Sequence, residues 1–258
     1  PPAPLPFDIP IFETSMNPDS TPRSSHLLQR TMMTGICSMV PVPFLDDLLI
    51  KKTRKGLVHR ILRDHSLNIP VSELETYYAG FSRGCLVRAI GLVFTIIKKV
   101  LRKILRTVFF FLAIRRATLE MAETYLLGRT LNRCIQSGFF DGDRLEVKDV
   151  EAMRTAFETA NRRSDLRIVA GAMRSAWVSI AGDRSVVRRL VQRFRKDAQS
   201  VEDDELQPAD LSQPEQEVLE KGEAVLEEKL EKSGVKEFLH SFDARFDKAL
   251  TEAQIESR

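Results

Sequence analysis

A chain of 258 residues, 43% of them hydrophobic, can bury one large core or two small ones. Its net charge of +3 hides an asymmetry: residues 1–196 hold 32 Lys and Arg against 18 Asp and Glu, a balance of +14, and residues 197–258 hold 7 against 18, a balance of −11. Three widely spaced cysteines, Cys37, Cys85 and Cys134, form no CxxC pair and read as reduced, buried thiols, which fits a reducing compartment and argues against a metal or redox role.

Helix formers dominate and alternating β-branched runs are nearly absent, so the expected class is all-α. The proline density of residues 1–23 prevents a helix and predicts an extended arm. Ser24 or Ser25 is placed to cap a first helix reaching about residue 39. Pro41 and Pro43 then make a structural turn, and Asp46 and Asp47 fall in the first turn of a second helix, where negative charge suits the dipole. Asp47 is also four residues from Lys51, an expected ion pair. Leu48, Leu49, Leu57, Val58, Ile61 and Leu62 give this helix its packing surface, and Asn68-Ile69-Pro70 ends it near His65. Ser72 and Glu75 have capping-box spacing for a short helix ending at Gly80.

A long helical region is predicted over 83–136, closed by Ser137-Gly138 and followed by a turn at Asp141-Gly142-Asp143. Three helices follow, at about 147–163, 165–181 and 183–198, with Asp165 and Asp183 as N-caps. Residues 199–214 read as an acidic linker. Two last helices, 215–232 and 235–256, form an acidic hairpin, and Val235, Phe238, Leu239, Phe242, Phe246, Ala249 and Leu250 make one apolar stripe on the second. The chain divides into an arm (1–23), a basic helical domain (24–198), the linker (199–214) and an acidic helical tail (215–258).

Residues 76–117 contain no Asp or Glu but nine Lys and Arg. On a helical wheel Arg88, Lys98, Lys99, Arg102, Lys103 and Arg106 share a polar arc of about 140°. Leu86, Ile90, Val93, Ile97, Val100, Leu101, Ile104 and Leu105 fill the opposite side, and 107–114 is apolar all round, centred on Phe109, Phe110, Phe111 and Leu112. A cytosolic helix usually interleaves Glu for i,i+4 pairs, and that device is missing here. Greasy surface with only positive charge fits an anionic membrane surface, with Lys98, Lys99, Arg102, Lys103 and Arg106 on lipid phosphates and Phe109, Phe110, Phe111 and Leu112 in the interface. A nucleic-acid partner is not expected, because no zinc-finger, KH or RRM signature occurs and the apolar arc is too large. The longest uncharged stretches, 31–45 and 89–97, are shorter than the roughly 18–20 residues of a spanning helix.

No reaction chemistry is legible. His26, His59, His65 and His240 include no i,i+3 or i,i+4 pair, and no HExxH, phosphate-binding glycine loop or nucleophile elbow is present. The Asp141 turn fails as a calcium loop, since position 146 is Glu and position 152 is Ala. The expectation is therefore a protein with no catalytic, cofactor or metal residues.

The block Met39-Val40-Pro41-Val42-Pro43-Phe44-Leu45-Asp46-Asp47, followed by a basic amphipathic helix, resembles the Pro-x-Pro helix entry of the EcsC-like and YcjF-like bacterial membrane-associated helical families. Phe44 stands where those families usually have Gly. The resemblance covers about 30 residues and implies a membrane accessory protein, with no catalytic residue to carry over. Together these readings predict a multi-helix bundle with a long central amphipathic helix. Its expected function is non-enzymatic and cytoplasmic, peripheral to the inner face of a membrane, with the acidic tail folding over the basic body to compete with lipid. The alternative is a soluble helical interaction module whose apolar helix is core and whose C-terminal helices dock a protein partner.

Overall fold

Helices α1 (Pro22–Cys37), α2 (Leu45–Asp64), α3 (Glu75–Ala79), α4 (Arg102–Gln136), α5 (Val147–Arg162), α6 (Arg167–Ala181), α7 (Arg184–Gln199), α8 (Gln213–Leu230) and α9 (Ser233–Glu256) build the protein. A 3-10 turn, Val71–Leu74, precedes α3, and the described residues contain no strand. These observations come from a computed structural model that describes residues 22–39, 45–79, 102–140, 145–199 and 211–256. The class is all-α. The expected arm, Pro41 and Pro43, Gly80, and the Asp141 turn lie outside the described residues.

Long-range pairs fix the order of the bundle. Met121 packs on the bare backbone of Gly35 and Leu27 on that of Gly128, so α1 runs antiparallel to α4. Asp46 and Asp47 meet Arg116, Arg54 meets Glu120 and Thr124, and His65 meets Asn132, so α2 runs parallel to α4. Helix α9 lies mainly on α5, where Phe242 stacks edge-on against Phe157 at 5.9 Å. Arg129 and Arg133 of α4 reach α9 through Asp243 and Asp247. Helix α8 packs on α6 and α1, with Gly222 pressed against Met32 and Ile180. All seven residues of the α9 apolar stripe are buried and belong to the same core cluster as α1, α2 and α4 to α8.

Several helix ends follow local chemistry. Helix α4 closes with Gly138 at φ +70, while the Phe139 and Gly138 N–H groups donate to the Cys134 and Ile135 carbonyls. Helix α8 opens with Glu215 accepting from the Ser212 N–H and hydroxyl, each at 2.8 Å. Other ends depart from the sequence reading. Helix α1 begins at Pro22, ahead of both serines, because proline suits the first helical position. The Ser72–Glu75 capping box is not formed: Ser72 lies in the 3-10 turn, and the Glu75 carboxylate takes the Lys51 ammonium. Asp47 bonds Arg116 rather than Lys51. Leu166, not Asp165, occupies the N-cap of α6, and Asp165 accepts from Arg167 instead. Asp183 begins α7 through its carbonyl, which accepts from Val186 and Val187, while its carboxylate faces Lys221.

Cys37 and Cys134 are buried and in no disulfide among the described residues, and burial pushes the Cys134 thiol well up. One carboxyl in α8 is out of balance. Burial, with Glu220 nearby, pushes Glu223 up to about 7, and its Oε1 is buried without a hydrogen-bond partner among the described residues. A raised carboxyl means that the native state holds a proton the unfolded chain has released. Stability from this group is therefore fully present below the ordinary carboxyl pKa and falls as pH rises toward about 7. Glu223→Gln should raise unfolding free energy by about 1–3 kcal/mol at pH 8 and by little at pH 4.5. Urea titrations of both proteins at the two pH values check this.

Candidate functional site

The pattern of burial along α4 marks the candidate surface. From Ala117 to Gly128 most side chains are buried, whereas Leu112 is 52% exposed, Ala113 and Ile114 are half-buried and Arg115 is exposed. The helix is 35 residues, about 52 Å, and the rest of the bundle covers its C-terminal part. Of the residues expected to meet lipid, Leu112 is the one whose surroundings are described. Lys98 and Lys99 lie outside the described residues, as do the side chains of Arg102, Lys103, Arg106, Phe109, Phe110 and Phe111.

The last two cations of the acid-free stretch have different fates. Arg116 is held by α2, with Nη1 2.6 Å from Asp46 and Nη2 2.9 Å from Asp47. Burial raises the Asp46 carboxyl despite that guanidinium. The two aspartates that looked like dipole partners of α2 thus also clamp α4. Arg115 has no carboxylate partner among the described residues.

Helix α2 adds a residue that periodicity places wrongly. Leu49, Leu57, Val58, Ile61 and Leu62 are core, but Leu48 is 41% exposed. It lies one residue beyond Asp47, so it stands at the same end of the bundle as Arg116 and Leu112. Just inside that end, Arg54 is buried with Nη2 2.9 Å from Glu120 and 3.6 Å from Glu123, while Nε donates to Thr124 at 3.0 Å. The acids that close the acid-free stretch are therefore structural partners of α2.

A second basic surface escaped the sequence reading. Helix α7 carries no acid from 184 to 196. Its Leu190 and Phe194 are buried, and Val186, Val187 and Val191 pack against the core. Arg184, Arg188, Arg189 and Lys196 are exposed and have no ion pair among the described residues; Arg193, at the edge, bonds Glu215 at 2.9 Å. On a 100° wheel these four exposed cations share an arc of about 140°. The same absence of acids that marks 76–117 would have found it. Other exposed cations without an ion pair among the described residues, such as Arg63 and Arg174, stand singly in sequence, and Arg162 and Arg163 form a smaller pair at the end of α5.

Among the described residues no group of three or more His, Cys, Asp or Glu is placed to hold a metal, and no helix is long and apolar enough to cross a membrane. Two histidines have identified partners: His65 bonds Asn132 at 3.0 Å, and His26 faces Arg60, burial holding its ring below the ordinary imidazole range. No family model matches the chain, and no curated protein or solved structure matches it.

Proposed function

We infer that the protein is a non-enzymatic, membrane-peripheral helical protein that rests the α2–α4 end of its bundle on an anionic lipid surface, such as the inner face of a membrane. The observation that carries this reading is the exposure of Leu48 and Leu112 at one end, beside an Arg115 that no described carboxylate neutralises. Both leucines are already about half covered, so burying the rest of them in the acyl boundary contributes about 1.5–3 kcal/mol. Each cation held at an anionic leaflet adds about 1 kcal/mol, a part that salt screens. The sequence upstream of Leu112 continues the same chemistry, with Lys98, Lys99, Arg102, Lys103 and Arg106 and no acid. The alternative, a soluble interaction module with the apolar helix sealed in its core, is weakened by the exposure of Leu112.

Vesicle flotation tests the reading. The full chain should float with phosphatidylcholine vesicles containing phosphatidylserine and bind pure phosphatidylcholine far more weakly. Neutralising Lys98, Lys99, Arg102, Lys103 and Arg106 to Gln should weaken binding more than about a hundred-fold. Equal binding to both vesicle types, or binding unchanged by the five substitutions, contradicts it.

A further inference from the structure

We propose that the outer face of α7, carrying Arg184, Arg188, Arg189 and Lys196, is a second contact surface for the phosphate-bearing headgroups of anionic lipids, placed at the same end of the bundle as Leu48 and Leu112. This rests on the membrane-peripheral reading and adds to it a surface that works by charge alone.

Side-chain contacts locate the helix. Ser164, just before α6, bonds Arg245 of α9, which lies between the Asp243 and Asp247 that hold Arg129 and Arg133 of α4. Helix α6 thus starts at the level of the C-terminal part of α4. It runs from there to Ile180, which shares Gly222 with Met32, midway between the α1 residues that meet Met121 and Gly128 of α4. Lys221 pairs with Asp183 while Gly222 meets Ile180, so α8 runs back antiparallel to α6. Glu215 precedes Gly222 by two helical turns, about 10 Å toward the end where α4 loses its burial. Arg193 of α7 is bonded to that Glu215. Helix α7 also packs on α1 and α2, the two helices that meet Arg116 or Met121 at this end.

The chemistry of the face selects the partner. The apolar arc of α7 is spent in the core through Leu190 and Phe194, so its described residues offer no large exposed apolar side chain to insert. What remains on this face, among the described residues, is guanidinium and ammonium without a paired carboxylate. Arg184 and Arg188, one turn apart, can bracket one phosphate, and guanidinium matches phosphate oxygens geometrically. The face spans about 18 Å from 184 to 196, wide enough for more than one headgroup. Such a contact weakens steeply with salt, whereas the leucine contact does not.

The experiment uses the full chain with 7:3 phosphatidylcholine–phosphatidylserine vesicles. Neutralising two cations, Arg188→Gln with Arg189→Gln, should weaken partitioning about 30-fold at low salt with an unchanged thermal melt, and the difference should vanish at 0.5 M salt. A control with the same charge change at the far end, Arg162→Gln with Arg163→Gln, should bind like wild type. If wild type does not bind these vesicles, the membrane reading itself fails. If wild type binds and R188Q/R189Q binds equally well, or if the control loses as much, the α7 surface is overturned while the α2–α4 contact stands. Binding of a short DNA duplex that R188Q/R189Q abolishes, with vesicle binding intact, would reassign the face to nucleic acid and also overturn the proposal.

Discussion

Arg54→Met should lower the unfolding free energy by about 3–5 kcal/mol, the expected loss when one partner of a buried ionic cluster is removed. The guanidinium is nearly inaccessible, with a side-chain exposure of 4%, and Glu123 beside it has 3%. It bonds Glu120 and Thr124 as well, so it joins three side chains of α4 to α2. Methionine fills much of the same volume, so the loss is electrostatic rather than a cavity. The carboxylates left behind would be buried beside an apolar thioether. Adding Glu120→Gln and Glu123→Gln to Arg54→Met should recover part of the loss, since neutral amides are far cheaper to bury than charges. Urea unfolding followed by circular dichroism measures both. A loss below about 1 kcal/mol would mean that the cluster is hydrated and does not hold α2 to α4.

Phe242→Ala should cost about 3–5 kcal/mol, a large part of the 5–15 kcal/mol that a domain usually has. Phe242 is fully buried, edge-on to Phe157 at 5.9 Å and stacked on Phe238 at 6.2 Å. The effect bears on how the acidic C-terminal helices work. Charge asymmetry alone suggests a tail that folds over the basic body, competes with lipid and so makes binding switchable. The helices instead bury Val218, Leu219, Leu226, Phe242 and Phe246 against the body, and Arg129 and Arg133 grip Asp243 and Asp247. Leaving the body would expose that core, so a switch of this kind has to work against several such side chains. A chain ending at residue 210 should aggregate or melt far below the full chain. An unchanged melting temperature for either variant would restore a detachable tail.

Features set by neighbours in sequence were legible, and those set by neighbours in space were not. The α9 stripe reads from helical spacing because its residues share a face whatever they pack on. The end of α4 reads from Gly138, since a left-handed residue is a local requirement. The partner of Asp47 lies 69 residues away, and Arg116 outcompetes a Lys51 that Glu75 draws off. Leu48 follows the same rule, because hydrophobicity marks it as core and only the assembled bundle shows it left outside. At the site, the acid-free stretch led to Leu112 and Arg115. The face of α7 was missed because its net charge was counted with the whole domain instead of along one helix.

The direct test of the proposed lipid contact is the depth of residue 112. An environment-sensitive fluorophore on Leu112→Cys, in a chain with Cys85→Ser and with Cys37 and Cys134 buried, reports whether that side chain enters lipid. On adding phosphatidylserine-containing vesicles the emission should shift to the blue and be quenched by nitroxides on the upper acyl chain, with no change for pure phosphatidylcholine. Vesicle binding with the emission at 112 unchanged would contradict the account.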